Sequence, residues 1–302
     1  MNFLGIEIGG SKLQIVIGDN EANILQRKRF NVNPAEGGGG IRRQIESALG
    51  EMNSTKPAAI AVGFGGPVDW RTGRICCSHQ IEGWADFELG EWLSSLTGTP
   101  VLVENDSNAA ALGEALRGAG RGFNPAFYFN MGSGVGGGLV VDGKIYHGAK
   151  PGEVEFGHLL LDRNKTTVES RCSGWAVDKK IRALKTTAPE STLSRLVGEQ
   201  TGGEAKHLAA ALQEGDSVAQ RILQETAQDL AFALSHVVHL FHPEVIVMGG
   251  GLSLVGEPLR AAVENALRGF VMEAFAPGPR VSLAQLGEDS VPVGALLLAS
   301  AR

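Results

Sequence analysis

Two short alternations open the chain. Leu4, Ile6 and Ile8 take every second position, Gly9-Gly10-Ser11-Lys12 interrupts, and Leu13, Ile15 and Ile17 resume the period before Gly18-Asp19-Asn20. Apolar residues at every second position predict half-buried strands, and the polar glycine stretch between them predicts a tight turn. The unit recurs further on. Phe127, Phe129 and Met131 alternate, the run from Gly132 to Gly138 follows as a turn, and Leu139-Val140-Val141 is a strand ending at Asp142-Gly143. Strand, glycine turn and strand, occurring twice, predict two related halves that each offer a polar turn to a shared cleft.

Helical spacing fills the rest. Leu89, Trp92, Leu93 and Leu96 predict a helix with Asp86 as its cap. Val101-Leu102-Val103 is a short buried strand running into Glu104-Asn105-Asp106, with a helix over 109–116. The longest helix runs over about 217–240, and Val245 to Met248 is a strand ending in Gly249-Gly250-Gly251. Helices over about 259–275 and 293–301 complete the chain. Gly37 to Gly40 lacks an apolar lead-in and reads as a flexible loop before a helix. Strands alternating with helices predict an α/β fold.

Composition narrows the function. The 302 residues are 43% hydrophobic and 20% charged, as in an ordinary globular protein with room for two domains. A net charge of −6 argues against a nucleic-acid surface. No apolar run suits a membrane span, and the first residues do not read as a signal peptide, so the cytoplasm is the expected compartment. Three cysteines, two of them adjacent (Cys76, Cys77), make neither a disulfide framework nor a four-cysteine zinc site. Glycine is the outlier, at 42 residues about twice ordinary usage.

Those glycines bear on phosphate binding. Gly132-x-Gly134-x-x-Gly137 fits the dinucleotide fingerprint as letters, but the fingerprint opens a helix and here a strand follows. No Gly-Lys-Ser/Thr loop is present. What remains is a glycine turn between strands, whose consecutive amides can cradle an anion. One such hairpin alone reads as a plain turn; two in one chain point to a nucleotide. Asp106, read alone, is a helix N-cap. His236, His239 and His242, three apart, read either as ring packing at a helix end or as metal ligands, with packing preferred.

The order of motifs resembles the ROK family (repressors, uncharacterised reading frames and kinases). The stretches that carry the likeness are Gly5 to Lys12, Gly65-Gly66-Pro67-Val68-Asp69, Glu82-Gly83-Trp84, Val103 to Ala110, Met131 to Gly138, Glu155-Phe156-Gly157-His158 and Val247 to Ser253. The resemblance covers nearly the whole chain. It implies a two-domain actin-like ATPase (ribonuclease H-like) fold with an interdomain cleft, a first lobe of residues 1–118 with 291–302 and a second of 119–290. It also implies an ATP-dependent sugar kinase acting on a hexose, with glucose and its 6-hydroxyl as the first expectation. Fructose, mannose, allose, N-acetylated amino sugars, or a non-catalytic sugar sensor are the alternatives.

By the same resemblance, Asp106 is the catalytic base, and Gly66, Pro67, Asn105, Asp106, Glu155, His158 and Glu169 meet the sugar. Gly9, Gly10, Ser11 and Lys12 form the first phosphate loop, Gly132, Ser133 and Gly134 the second. Gly249, Gly250 and Gly251 precede a helix that places the adenosine. ATP and Mg²⁺ are implied, the metal held mostly by phosphate oxygens and water, and so is a homodimer. Family repressors carry a DNA-binding domain ahead of the first loop; here that loop starts within ten residues of Met1, so no nucleic-acid partner is expected, and no membrane either. Three departures stand out. The zinc-binding cysteine loop of many members is missing between His158 and Glu169, and Cys172 alone cannot replace it, so no structural zinc is expected. Glu7 stands where aspartate is usual, and Gln80 where asparagine is common.

Overall fold

The computed structural model describes residues 1–302 apart from 53–55, 79–80, 151, 153 and 302. In chain order the elements are β1 (Phe3–Ile8), β2 (Lys12–Gly18), β3 (Ile24–Asn31), α1 (Gly37–Glu51), β4 (Ile60–Phe64), β5 (Val68–Asp69), β6 (Arg74–Ile75), α2 (Leu89–Thr97), β7 (Val101–Asn105) and α3 (Asp106–Arg117). There follow β8 (Ala126–Met131), β9 (Val135–Val141), β10 (Lys144–Ile145), α4 (Val168–Cys172), α5 (Gly174–Thr187), α6 (Thr192–Val197), α7 (Leu208–Gln213), α8 (Ser217–Phe241), β11 (Val245–Gly249), α9 (Glu257–Arg268), β12 (Arg280–Leu283) and α10 (Ser290–Ser300). No helix among the described residues is long and apolar enough to cross a membrane.

The chain divides into two compact units, one of 1–121, 138–154 and 288–302, the other of 122–137 and 155–287. Residues 138–154 group with the first unit. The reason is packing on α3: a Cβ at Gly138 would collide with the Ala111 side chain and stand 2.9 Å from the Ser107 carbonyl oxygen.

In the first unit the sheet order is β3-β2-β1-β4-β7. The opening hairpin is antiparallel, with Ile8 opposite Leu13 and the Gly9 N–H donating to the Lys12 carbonyl at 2.9 Å. β1, β4 and β7 run parallel, with Ile8 opposite Phe64 and Phe64 opposite Asn105, so their C-terminal ends lie side by side. Ile6, Ile8, Ile15, Ile41, Ile45, Ile60, Phe64 and Trp84 fill the core. Each fully buried side chain of this kind contributes about 1.5–3 kcal/mol. α10 lies against α3 so closely that a Cβ at Gly294 would overlap the Ala109 carbonyl.

Two local expectations are corrected here. Gly37 to Gly40 is the first turn of α1 rather than a loop; Gly38 is small because the Trp84 indole lies 2.9 Å from where its Cβ would be. Asp86 does not cap α2: Glu88 occupies the cap position without a side-chain bond, while Asp86 (φ 58°) pairs with Arg74 at 2.7 Å.

In the second unit β8, β11 and β12 run parallel, with Gly249 opposite Asn130 and Val247 opposite Ser282. Phe127 and Phe129 are fully buried and both pack on Phe156, with ring centroids 5.6 and 5.2 Å away. The glycine turn after β8 is shorter than the sequence suggested, because β9 already begins at Val135. Asp216 caps α8 through bonds from the Val218 and Ala219 N–H groups at 2.7 and 3.1 Å. α9 stops at Arg268 instead of continuing to 275, and residues 273–275 form a separate 3₁₀ turn. The three histidines at the end of α8 have protein partners: His236 Nδ1 bonds the Phe232 carbonyl at 2.9 Å, His239 Nε2 accepts from the Met272 N–H at 3.1 Å, and His242, just past the helix, stacks on Phe275 at 3.9 Å.

Candidate active site

In open α/β sheets, ligands meet the loops at the carboxyl ends of parallel strands. The first unit gathers four predicted groups there. Gly9 follows β1, Gly65-Gly66-Pro67 follows β4, and Asn105 and Asp106 join β7 to α3. The Gly65 N–H donates to the Ile8 carbonyl at 2.8 Å. A Cβ at Gly65 would stand 3.3 Å from Asp106 Oδ2 and 3.7 Å from Gly9 Cα, so the carboxylate, the strand end and the first glycine turn converge on one spot.

Asn105, not Asp106, is the N-cap of α3. Its φ of −62° and ψ of 143° are extended, and its Oδ1 accepts from the N–H groups of Ser107 and Asn108 at 2.8 and 3.1 Å. Its Nδ2 donates to the Gly66 carbonyl at 3.2 Å. Asp106 is therefore relieved of capping, which overturns the reading of that residue taken alone; its Oδ1 accepts from Ser107 Oγ at 3.2 Å.

Lys12 points back at the sheet rather than standing alone. Its Nζ lies 3.1 Å from Glu7 Oε1, and the fully buried Gln14 donates to Glu7 Oε2 at 2.6 Å. Burial pushes the Glu7 carboxyl above its ordinary value, and Lys12 and Gln14 offset part of that. Among the described residues there is no group of three His, Cys, Asp or Glu side chains that could hold a metal ion. With both Glu7 oxygens engaged, the donor set fits a cation carried by a nucleotide's phosphates and water, not a protein cage.

The second unit gathers the remaining predicted residues in two places. The Gly132–Gly134 turn is braced from behind: the Gly174 N–H at the start of α5 donates to the Gly132 carbonyl at 2.8 Å. Glu169, on α4, accepts the Val135 N–H through Oε2 at 2.9 Å, and a Cβ at Gly134 would collide with that oxygen. Gly249 ends β11 beside this turn, and Gly250 follows it. A Cβ at Gly249 would strike the Tyr128 ring, and one at Gly250 (φ 80°) the Met131 backbone, so close packing accounts for both; Gly251 faces open space. A 3₁₀ turn over 251–255 follows, and the helix expected directly after the glycines begins only at Glu257.

Glu155 precedes and His158 ends a 3₁₀ turn anchored by buried Phe156, with Glu155 Oε2 and His158 Nε2 3.9 Å apart on exposed side chains. Cys172 is fully buried, its Sγ 3.9 Å from the Thr226 carbonyl. Gln80 lies outside the described residues. Two polar residues given no role by the sequence reading belong to the first unit's site. Gln14 holds Glu7, and Glu104, an acid inside an apolar strand, bonds the backbone of Asn105.

Two sheet-and-helix units, each with polar turns at the ends of parallel strands, are the α/β architecture of the actin-like ATPases. The chain is 29% identical to a solved ROK family glucokinase from Streptomyces griseus in complex with glucose and AMPPNP, with a TM-score of 0.88 and full coverage of both chains. It is 28% identical to a glucokinase of Thermotoga maritima over 98% of this chain and 96% of that one. It is 30% identical to a glucokinase of Halalkalibacterium halodurans over 97% and 93%. The ROK family model matches residues 3–302, and the chain belongs to the ROK family.

Proposed function

We propose that this protein is an ATP-dependent hexose kinase with Asp106 as its general base. The observation that carries the reading is the full-length likeness to the Streptomyces griseus glucokinase, whose complex holds glucose and an ATP analogue. The convergence of Asp106, Gly65 and the Gly9 turn at the strand ends supports this reading.

In this reading the hexose 6-oxygen attacks the γ-phosphorus. The new O–P bond forms as the bond to the β-γ bridging oxygen breaks, ADP leaves, and the hydroxyl proton passes to the Asp106 carboxylate. Asn105, the Gly66-Pro67 backbone, Glu155, His158 and Glu169 bind the sugar hydroxyls. Gly9, Gly10, Ser11 and Lys12, then Gly132, Ser133 and Gly134, and then Gly249, Gly250 and Gly251 serve the nucleotide. Mg²⁺ on the phosphate oxygens would supply charge neutralisation. Lys12 and Gln14 hold Glu7 in place beneath the first loop. Glucose is the proposed substrate, and we extend to this chain the family's homodimer and cytoplasmic setting.

A coupled assay of ADP release over a panel of monosaccharides tests the reading. Release that depends on a hexose, greatest with glucose, supports it. Sugar binding without release would make the chain a non-catalytic sensor. Best turnover with another sugar would correct the substrate alone.

A further inference from the structure

Glu104 is the one acid in β7 and only 5% exposed. A carboxylate taken out of water costs several kcal/mol unless its oxygens are occupied by donors. Here they are. Oε1 accepts from the Asn105 N–H at 2.9 Å and from Asn108 Nδ2 at 3.0 Å, and Oε2 lies 2.5 Å from His147 Nε2. That last contact is a hydrogen bond between the ring and the carboxyl. His147, just past β10, lies flat on Trp70 at 4.1 Å and 19°. Lys150 bonds Asp69, next to Trp70, at 2.5 Å and ties down the same segment.

The three bonds grip the junction where β7 becomes α3. One holds the backbone of the cap residue Asn105 and another holds a side chain in the first turn, with Asp106 between them. Stability alone is a poor reason for such an arrangement, because a buried carboxyl with its polar partners is often matched or bettered by apolar residues of similar volume. Orientation of the residue enclosed by the grip is a better one.

We propose that Glu104, with His147 as its hydrogen-bonding partner, is a positioning residue that fixes the first turn of α3 and thereby aims Asp106 at the sugar hydroxyl. The inference rests on the reading of Asp106 as the base, and it acts entirely within the first unit. Displacing a reacting group by about 1 Å can cost on the order of 10² in rate.

Two variants of the full-length protein test it. Glu104→Gln keeps the volume and the acceptor for Asn105 and Asn108 but removes the charge. His147→Phe keeps a ring on Trp70 and removes the bond. In both, kcat with glucose and ATP is expected to fall roughly ten- to a hundredfold while KM for ATP stays within about twofold. Amide hydrogen exchange should quicken at residues 105–109 and stay unchanged in the rest of the sheet. Parent-like kcat in both variants overturns the proposal, and so does a uniform loss of protection across the unit, which marks a purely structural pair. If the parent protein shows no sugar-dependent ADP release, the kinase reading fails and exchange alone decides. Local quickening then upholds the grip on the first turn of α3 but not the aiming of Asp106, and unchanged exchange overturns both.

Discussion

Asn105 caps the helix that Asp106 begins, its Oδ1 2.8 Å from the Ser107 nitrogen and 3.1 Å from that of Asn108. Its amide nitrogen meanwhile holds the Gly66 carbonyl at 3.2 Å, so one side chain ties β4's loop to the helix start. The two duties separate by substitution. Asn105→Asp keeps a good cap and should change unfolding free energy by less than ~0.5 kcal/mol, whereas Asn105→Ala should cost about 1 kcal/mol in urea unfolding. Both lose the bond to Gly66, so KM for glucose should rise in both.

Glu169 touches the second glycine turn through the Val135 N–H. Glu169→Gln retains an acceptor there, so KM for ATP should hold while KM for the sugar rises. Glu169→Ala leaves the turn unsupported, and KM for both substrates should rise. Steady-state kinetics with each substrate varied in turn checks the difference.

Acid stability should depend on Asp216. Burial pushes its carboxyl up, but the backbone N–H groups of Leu193, Ala219, Val218 and Thr192 outweigh burial and hold it below its ordinary value of 3.8. A carboxyl depressed by folding contributes stability that is complete above its unfolded value and disappears as pH falls through the folded one. Asp216→Asn should therefore unfold at a lower temperature than the parent at pH 7. The gap should close as pH drops below 3.8. Thermal unfolding of both proteins across that range measures it.

Burial pushes the Cys172 thiol up to about 12. At pH 8 only about one molecule in 10⁴ then carries the reactive thiolate. Iodoacetamide on the folded protein should leave Cys172 unlabelled, with labelling appearing once the chain is unfolded in urea; peptide mass spectrometry reads the site.

The opening hairpin was legible because apolar alternation and a polar turn are both local signals, and β1 and β2 form as the spacing predicts. Glycines misled where their smallness serves a distant neighbour. Gly38 makes room for Trp84, and Gly138 for Ala111 and the Ser107 carbonyl, so a helix start and a strand were read as loop and turn. Asn105 and Asp106 are both good caps by type, and only the backbone angles decide that the first does the capping. The pairing of Glu104 with His147 joins positions 43 apart and leaves no trace in spacing.

The most direct test of the central claim compares the parent with Asp106→Asn for glucose binding by calorimetry and for ADP release under saturating ATP. Because Asn105 supplies the cap, the variant should fold and bind glucose like the parent. Its sugar-dependent ADP release should drop by ~10²–10⁴-fold. Release at the parent's rate by a folded, glucose-binding Asp106→Asn protein would contradict the assignment of this carboxylate as the base.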